Sequence, residues 1–304
     1  MTSKKKTSMD WKAEQFAQQK AGKQADAMTA RMRLPYPIDP LSVAESEYPL
    51  LRAGGRNFGN RFDGKLKFVP NDRCFALMYN TKYDIGYTDG QHHPRTRFTI
   101  AHELGHYFIQ HHREYLRNRR TSHASVSEFR SNAKIEKEAD AFAASLLLPT
   151  HLVQPIINHG NLSLNAIDNI AGAFETSRVS TAIRAVQLSH FPCAVAGIRN
   201  GIVAWMFPSE PLIEAGIYPN RGVMPDNARE PWDRCRMSVP ADSEAGGQVQ
   251  DWFQTYQRED LDEVYVHEEY IPVPSMGTLL VLLTIDESDV FADDEDEYRD
   301  DDDD

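Results

Sequence analysis

The stretch FTIAHELGHYFIQHH, residues 98–112, constrains what this chain can fold into more than any other. Phe98, Ala101, Leu104, Gly105 and Phe108 recur at three-to-four spacing, which predicts a helix from Arg95 to His112. On such a helix His102 and His106 point to one side, so their imidazoles can share one metal ion. Glu103, beside the first histidine, can then face a water on that ion. Zinc suits this pattern, and it wants a third protein ligand with one position left open. Gly105, next to the second histidine, lets another backbone or a substrate come close.

Two routes lead to the third ligand. His112 would complete the longer spacing HExxHxxGxxH, but that pattern needs Gly where this chain has Ile109, because the helix must break there. With the helix expected to continue, His112 lies about 280° round from His102 and off the ligand face. His111 lies nearly opposite that face and reads as exposed. The other route is the next helix, AKIEKEADAFAASLLLP, whose Ile135, Ala139, Phe142, Ala143, Leu146 and Leu147 share a face and which Pro149 stops. Glu136 and Glu138 both stand at its start, where either could simply complement the helix dipole. Glu136 is preferred, because Asp140 follows it at ExxxD spacing and could orient a histidine or the glutamate itself. Glu138 and His112 stand as the alternative metal ligands.

Around these helices the chain divides by composition. Residues 1–33 read as a basic, helical N-terminal extension. LPYPIDP at 34–40 is a rigid, extended entry, and LSVAESEYPLLRAGG predicts a short helix ended by Gly54 and Gly55. GKLKFV and CFALMYN resemble a hairpin with turn residues PND between them. Residues 34–150 would thus form one domain, and 151–190 a helical segment in which AIDNIAGAFETSRVSTAIRAVQL has helix-turn-helix rhythm. After a boundary near 190, CAVAGIRNGIVAWMF predicts a hairpin turned at Asn200–Gly201, and DEVYVHEEYIPV and TLLVLLTID predict further strands, in a β-rich domain over 191–288. The expected fold class is α+β.

Charge and cysteine content narrow the setting. The net charge is −12, yet from Asp286 onward thirteen acidic residues face Arg299 alone, so the rest of the chain is close to neutral. The tail, 289–304, is expected to be disordered and solubilising, with a docking arm for a basic partner as the lesser reading. Cys74, Cys193 and Cys235 are odd in number and far apart, which fits neither a disulfide framework nor a cysteine zinc site and suits a reducing cytoplasm. No run approaches the roughly 20 apolar residues of a membrane span. From Asn161 to His190 only Arg178 and Arg184 stand against Asp168 and Glu175, so direct DNA binding is not expected.

RTRFTIAHELGHYFI followed by EKEADAFAASLLLP resembles the ImmA/IrrE family of zinc metallo-endopeptidases, whose pattern is RxxFTxAHELGH and then ExxA[ND]xFAxxLLMP. Leu148 replaces the usual Met. DGKL at 63–66 and MYN at 78–80 also resemble segments upstream of that family's zinc helix, and the likeness runs from about residue 35 to 190. The resemblance implies a zincin-like peptidase domain in which His102, His106 and Glu136 hold zinc and Glu103 is the catalytic base. It also implies an intracellular bacterial or phage protease that cuts a helix-turn-helix repressor in stress or mobile-element regulation, with a sensor-like α/β domain at the C-terminus. A donor for the oxyanion is needed; Tyr79, Tyr107, His92, His93 and His123 qualify by type and none by spacing. The alternative is a non-catalytic regulatory protein that binds a partner through its C-terminal domain, with zinc only structural. An intact Glu103 favours the enzyme, since a structural site has no use for a base there.

Overall fold

The computed structural model describes residues 8–291 apart from 89, 120–121, 126–133, 161, 237–242 and 257, so the acidic tail from 292 onward lies outside the described residues. The architecture is α+β. The chain forms two compact units, Met1–Val153 with Ile170–Ser180, and Gln154–Asn169 with Thr181–Asp304. Among the described residues no single helix is long and apolar enough to cross a membrane.

In the first unit, helix α1 (Ser8–Met32) is followed by α2 (Pro40–Glu45), which starts where the Asp39 carboxylate accepts from the Leu41 and Ser42 amides and Pro40 presets the first turn. Strands β1 (Leu51–Arg56), β2 (Gly64–Val69), β3 (Cys74–Asn80) and β4 (Ser122–Ser125) form a sheet in the order β1-β3-β2-β4. The β2–β3 hairpin is the expected one, antiparallel with Gly64 opposite Tyr79. Gly54 and Gly55, expected to end a helix, instead lie in β1, paired in parallel with β3. The reason is packing: a Cβ at Gly55 has no room against the ring of Tyr79.

Helix α3 (Pro94–Phe108) begins where His93 Nδ1 accepts the Arg95 amide at 3.0 Å. It does not continue to His112. Ile109 takes an extended conformation, with φ −70° and ψ 114°, and a separate helix α4 (Gln110–Arg119) follows. Two observations account for the break. The side-chain amide of Gln24, on α1, donates to the Phe108 carbonyl at 3.0 Å, so a carbonyl orphaned by the helix end has a partner. Ile109 turns inward and is buried. The second ligand helix, α5 (Lys134–Leu147), ends before Pro149 as expected.

Leu66, Leu77, Ile100, Leu104, Phe142 and Leu146 are fully buried together and form the centre of this unit. Each contributes roughly 1.5–3 kcal/mol of hydrophobic stabilisation. Ala21 and Ala25 of α1 belong to the same core, and a Cβ at Gly22 would fall 2.9 Å from Ser145 Oγ of α5. Asp26 accepts from the Thr150 amide at 2.8 Å and its hydroxyl at 2.7 Å, capping helix α6 (Thr150–Ile157). Helices α7 (Leu164–Phe174) and α8 (Arg178–Leu188) contribute residues to both units. They are joined through Glu175 at φ 52°, and Ser177 Oγ caps α8 by accepting the Ser180 amide at 3.1 Å. This is the stretch read as helix-turn-helix-like.

The second unit contains β5 (Cys193–Arg199), β6 (Ile202–Pro208), β7 (Ile217–Pro219), β8 (Ser243–Gln248), β9 (Phe253–Thr255), β10 (Tyr265–Val273) and β11 (Thr278–Thr284). Five of them make an antiparallel sheet in the order β6-β5-β11-β10-β8, while β7 pairs with β9. The β5–β6 turn is at Asn200 and Gly201, with φ 53° and 73°, both in the left-handed region that a two-residue hairpin turn requires. Residues Thr278–Leu283 of β11 are all buried, which explains their unbroken apolar run. Glu268 is fully buried in β10. Burial raises its carboxyl pKa, while Tyr270, Trp252 and Asn227 donate to it and oppose the shift.

Candidate metal centre

Helices α3 and α5 pack closely because of Gly105. A Cβ there would fall 3.1 Å from both Cα and O of Ala139, so the glycine admits the backbone of α5, as its position beside the second histidine suggested. His102 and His106, one turn apart on α3, turn their Nε2 atoms toward each other at 3.2 Å. Glu136, in the first turn of α5, places its carboxylate 3.5 Å from His102 Nε2 and 3.7 Å from His106 Nε2. Two ligands each about 2.05 Å from a tetrahedral zinc stand about 3.3 Å apart. The three donors therefore already lie at the separations that a shared zinc demands, and two imidazoles with one carboxylate are a donor set of catalytic zinc sites. The residues fit the ion.

The ring of His102 is fixed from behind. Asp140 Oδ1 lies 2.8 Å from His102 Nδ1, which holds that nitrogen as N–H and leaves Nε2 for a metal. Asp140 sits one turn beyond Glu136, so both act from the same face of α5. Burial works to lower the His102 pKa, but the hydrogen bond to Asp140, and then Glu136, outweigh it and push the value up to about 10. A metal must displace a proton there, because only the neutral ring is a ligand.

Glu103 is fully buried. Its Oε1 would lie 2.6 Å from a Cβ placed at Gly64, so the first residue of β2 must be glycine for the strand to pass the carboxylate. Next to that glycine, Asp63 holds the Arg95 guanidinium at 2.8 Å and Lys82 Nζ at 3.1 Å. Burial would raise the Asp63 carboxyl pKa; hydrogen bonds from Lys82 and Arg95 outweigh it and lower it below its ordinary value. This network joins β2, the loop after β3 and the start of α3.

Among the candidate oxyanion donors, the Tyr107 hydroxyl donates to Glu47 at 3.0 Å; burial, reinforced by Glu47, pushes its pKa up to about 12. His93 serves as the cap of α3 and His92 Nδ1 lies 2.8 Å from Asp84. Tyr79 meets the His92 ring edge-on, with centroids 5.3 Å apart. The side chain of His123 lies outside the described residues.

The structure brings His102, His106 and Glu136 together and places Glu138 and His112 elsewhere. Glu138 Oε2 lies 3.0 Å from His111 Nε2 and 3.4 Å from His112 Nε2. The expectation for His112 rested on an unbroken helix. With the break at Ile109 it is instead buried beside His106, ring centroids 5.0 Å apart, and faces Glu138. His111 is exposed as expected, yet it reaches the same carboxylate. Sequence reasoning passed over that partnership; the signal was the HH pair together with a second glutamate two residues after Glu136.

A helix pair carrying two imidazoles, a carboxylate and an adjacent buried glutamate has the arrangement expected of an HExxH metal site. Residues 63–186 match the family described as Peptidase M78, the IrrE N-terminal-like domain, and that part of the chain belongs to the ImmA/IrrE family. No curated protein matches the chain. A solved structure described as a Mycobacterium tuberculosis transcriptional regulator is similar with a TM-score of 0.50 at 10% identity, over 89% of this chain and 77% of its own. At that identity the likeness concerns the fold alone.

Proposed function

We propose that this chain is a zinc-dependent endopeptidase of zincin-like design, acting in the cytoplasm on a regulatory protein, in the first instance a helix-turn-helix repressor. The observation that carries the reading is the spacing of His102, His106 and Glu136, at 3.2–3.7 Å, with Glu103 on the same helix as the two histidines and Glu136 reaching them from α5. When bound, zinc lowers the pKa of a water and polarises the scissile carbonyl. Glu103, buried next to the first ligand, takes the proton of the attacking water and hands it to the leaving amine. Asp140 keeps His102 in the tautomer that binds metal. The choice of a repressor as substrate rests on the family resemblance. Direct DNA contact is not part of the proposal, because α7 and α8 carry little excess positive charge.

The test is Glu103→Gln beside the wild type, both loaded with zinc and incubated with a mixed peptide library whose cuts are mapped by mass spectrometry. The wild type should produce defined cuts. The variant should hold one equivalent of zinc at that site and lose at least about 100-fold in rate, the lower end for a missing general base. A variant as active as the wild type would overturn the assignment. A zinc-loaded wild type that cuts neither peptides nor co-expressed repressors would leave the regulatory reading with structural zinc.

A further inference from the structure

We infer that His111, His112 and Glu138 form a second, separate site for a borderline transition-metal dication, zinc above all, which joins α4 to α5. The three side chains present His111 Nε2, His112 Nε2 and Glu138 Oε2, with the two imidazoles 3.0 and 3.4 Å from the same carboxylate oxygen and all candidate donor atoms within 4.8 Å of one another. Two features separate this cluster from an ordinary surface ion pair. Glu138 is 3% exposed, and its other oxygen, Oε1, has no hydrogen-bond partner among the described residues, a costly arrangement for a buried carboxyl group. His112 is also buried at 3%, whereas His111 is exposed, so the site has one open side through which an ion can enter and which water can complete. The break at Ile109 creates the arrangement, because it turns α4 so that two consecutive histidines converge on one glutamate.

Imidazole nitrogens select against magnesium and calcium and suit zinc, cobalt, nickel and copper. Three protein donors with an open fourth position match zinc without demanding a closed structural cage. The site does not share ligands with the first one: Glu136 and Glu138 are two residues apart on α5 and face different histidines. Because His111 is solvent-exposed, this ion should exchange faster and bind more weakly than the one between α3 and α5.

The experiment is equilibrium dialysis of the full chain against zinc, with bound metal counted by mass spectrometry, for the wild type, His111→Ala, Glu138→Gln and Glu136→Gln. His111→Ala is the principal variant, since an exposed side chain can be removed without disturbing the core; thermal melts of the metal-free proteins check that all four fold. Two equivalents in the wild type, one in His111→Ala and in Glu138→Gln, and one in Glu136→Gln are expected. Cobalt in place of zinc should give two distinguishable visible spectra, the second absent from His111→Ala. One equivalent in the wild type, unchanged in His111→Ala and absent from Glu136→Gln, would overturn the inference and leave the peptidase site standing. One equivalent kept in Glu136→Gln but lost in His111→Ala would support the second site and overturn the first. Two equivalents retained in His111→Ala would show that His111 is not a ligand and overturn the site as drawn.

Discussion

Substituting Gly105 by alanine tests whether the helix contact holds the metal site together. Inside a helix, alanine is favoured over glycine by about 1 kcal/mol. At position 105 the new Cβ meets Ala139 Cα and O at 3.1 Å and Phe142 Cβ at 3.2 Å. Carbon atoms pack best at about 3.5–4.0 Å, so α3 and α5 must part by roughly 0.4 Å or more, and two of the opposing atoms are backbone that cannot rotate away. Overpacking of this kind costs about 1–3 kcal/mol, which cancels or exceeds the helical gain. Gly172 is the control: it is helical and exposed, and nothing lies within 4 Å of its added Cβ, so Gly172→Ala should stabilise by about 0.5–1 kcal/mol. The assay is urea unfolding of the metal-free proteins, followed by zinc competition against a chromophoric chelator. Gly105→Ala should be less stable than Gly172→Ala by about 1–3 kcal/mol and should bind zinc more weakly, since the parting moves Glu136 from both histidines. A Gly105→Ala protein as stable as Gly172→Ala, with unchanged zinc affinity, would refute the reasoning.

Other changes have equally definite outcomes. Asp140→Asn should weaken zinc binding about 10–100-fold, read by the same chelator competition. Asp63→Asn should destabilise by about 2 kcal/mol at neutral pH, since charged hydrogen bonds to Arg95 and Lys82 are lost. Because the Asp63 pKa is lowered on folding, its contribution is present above the ordinary carboxylate value of 3.8 and fades as pH falls through the lower folded value; the gap between wild type and variant, measured in urea from pH 7 downward, should close there. Asp26→Ala should cost about 1–2 kcal/mol by uncapping α6, seen as a lower urea midpoint.

Much of this was written in local pattern. The periodicity of residues 98–108 and 134–147 gave both ligand helices, ExxxD put Glu136 and Asp140 on one face, and Asn200–Gly201 marked a hairpin by its demand for two left-handed residues. What escaped depends on distant partners. The break at Ile109 coincides with a hydrogen bond from Gln24, 84 residues earlier, and no neighbouring glycine or proline announces it. Strand β1 hid behind Gly54 and Gly55, which read as a helix stop until the ring of Tyr79 is seen to fill the missing side-chain space. The packing of α1 left little hydrophobic stripe to find, because Ala21 and Ala25, which it gives to the core, are small, and Gly22 lies against Ser145 of α5.

That last contact bears on where this protein can be cut. The family match begins at residue 63, but the piece from 63 to 186 would be stripped of β1, the parallel neighbour of β3, and of α1, the cover on α5. It would also lose the Ile38 carbonyl, to which the buried Arg97 guanidinium donates at 2.7 Å. An excised fragment would show water the apolar flank of the very helix that presents Glu136. The N-terminal helix is thus part of the scaffold under the candidate metal centre, and a minimal expression fragment should start upstream of Ala21.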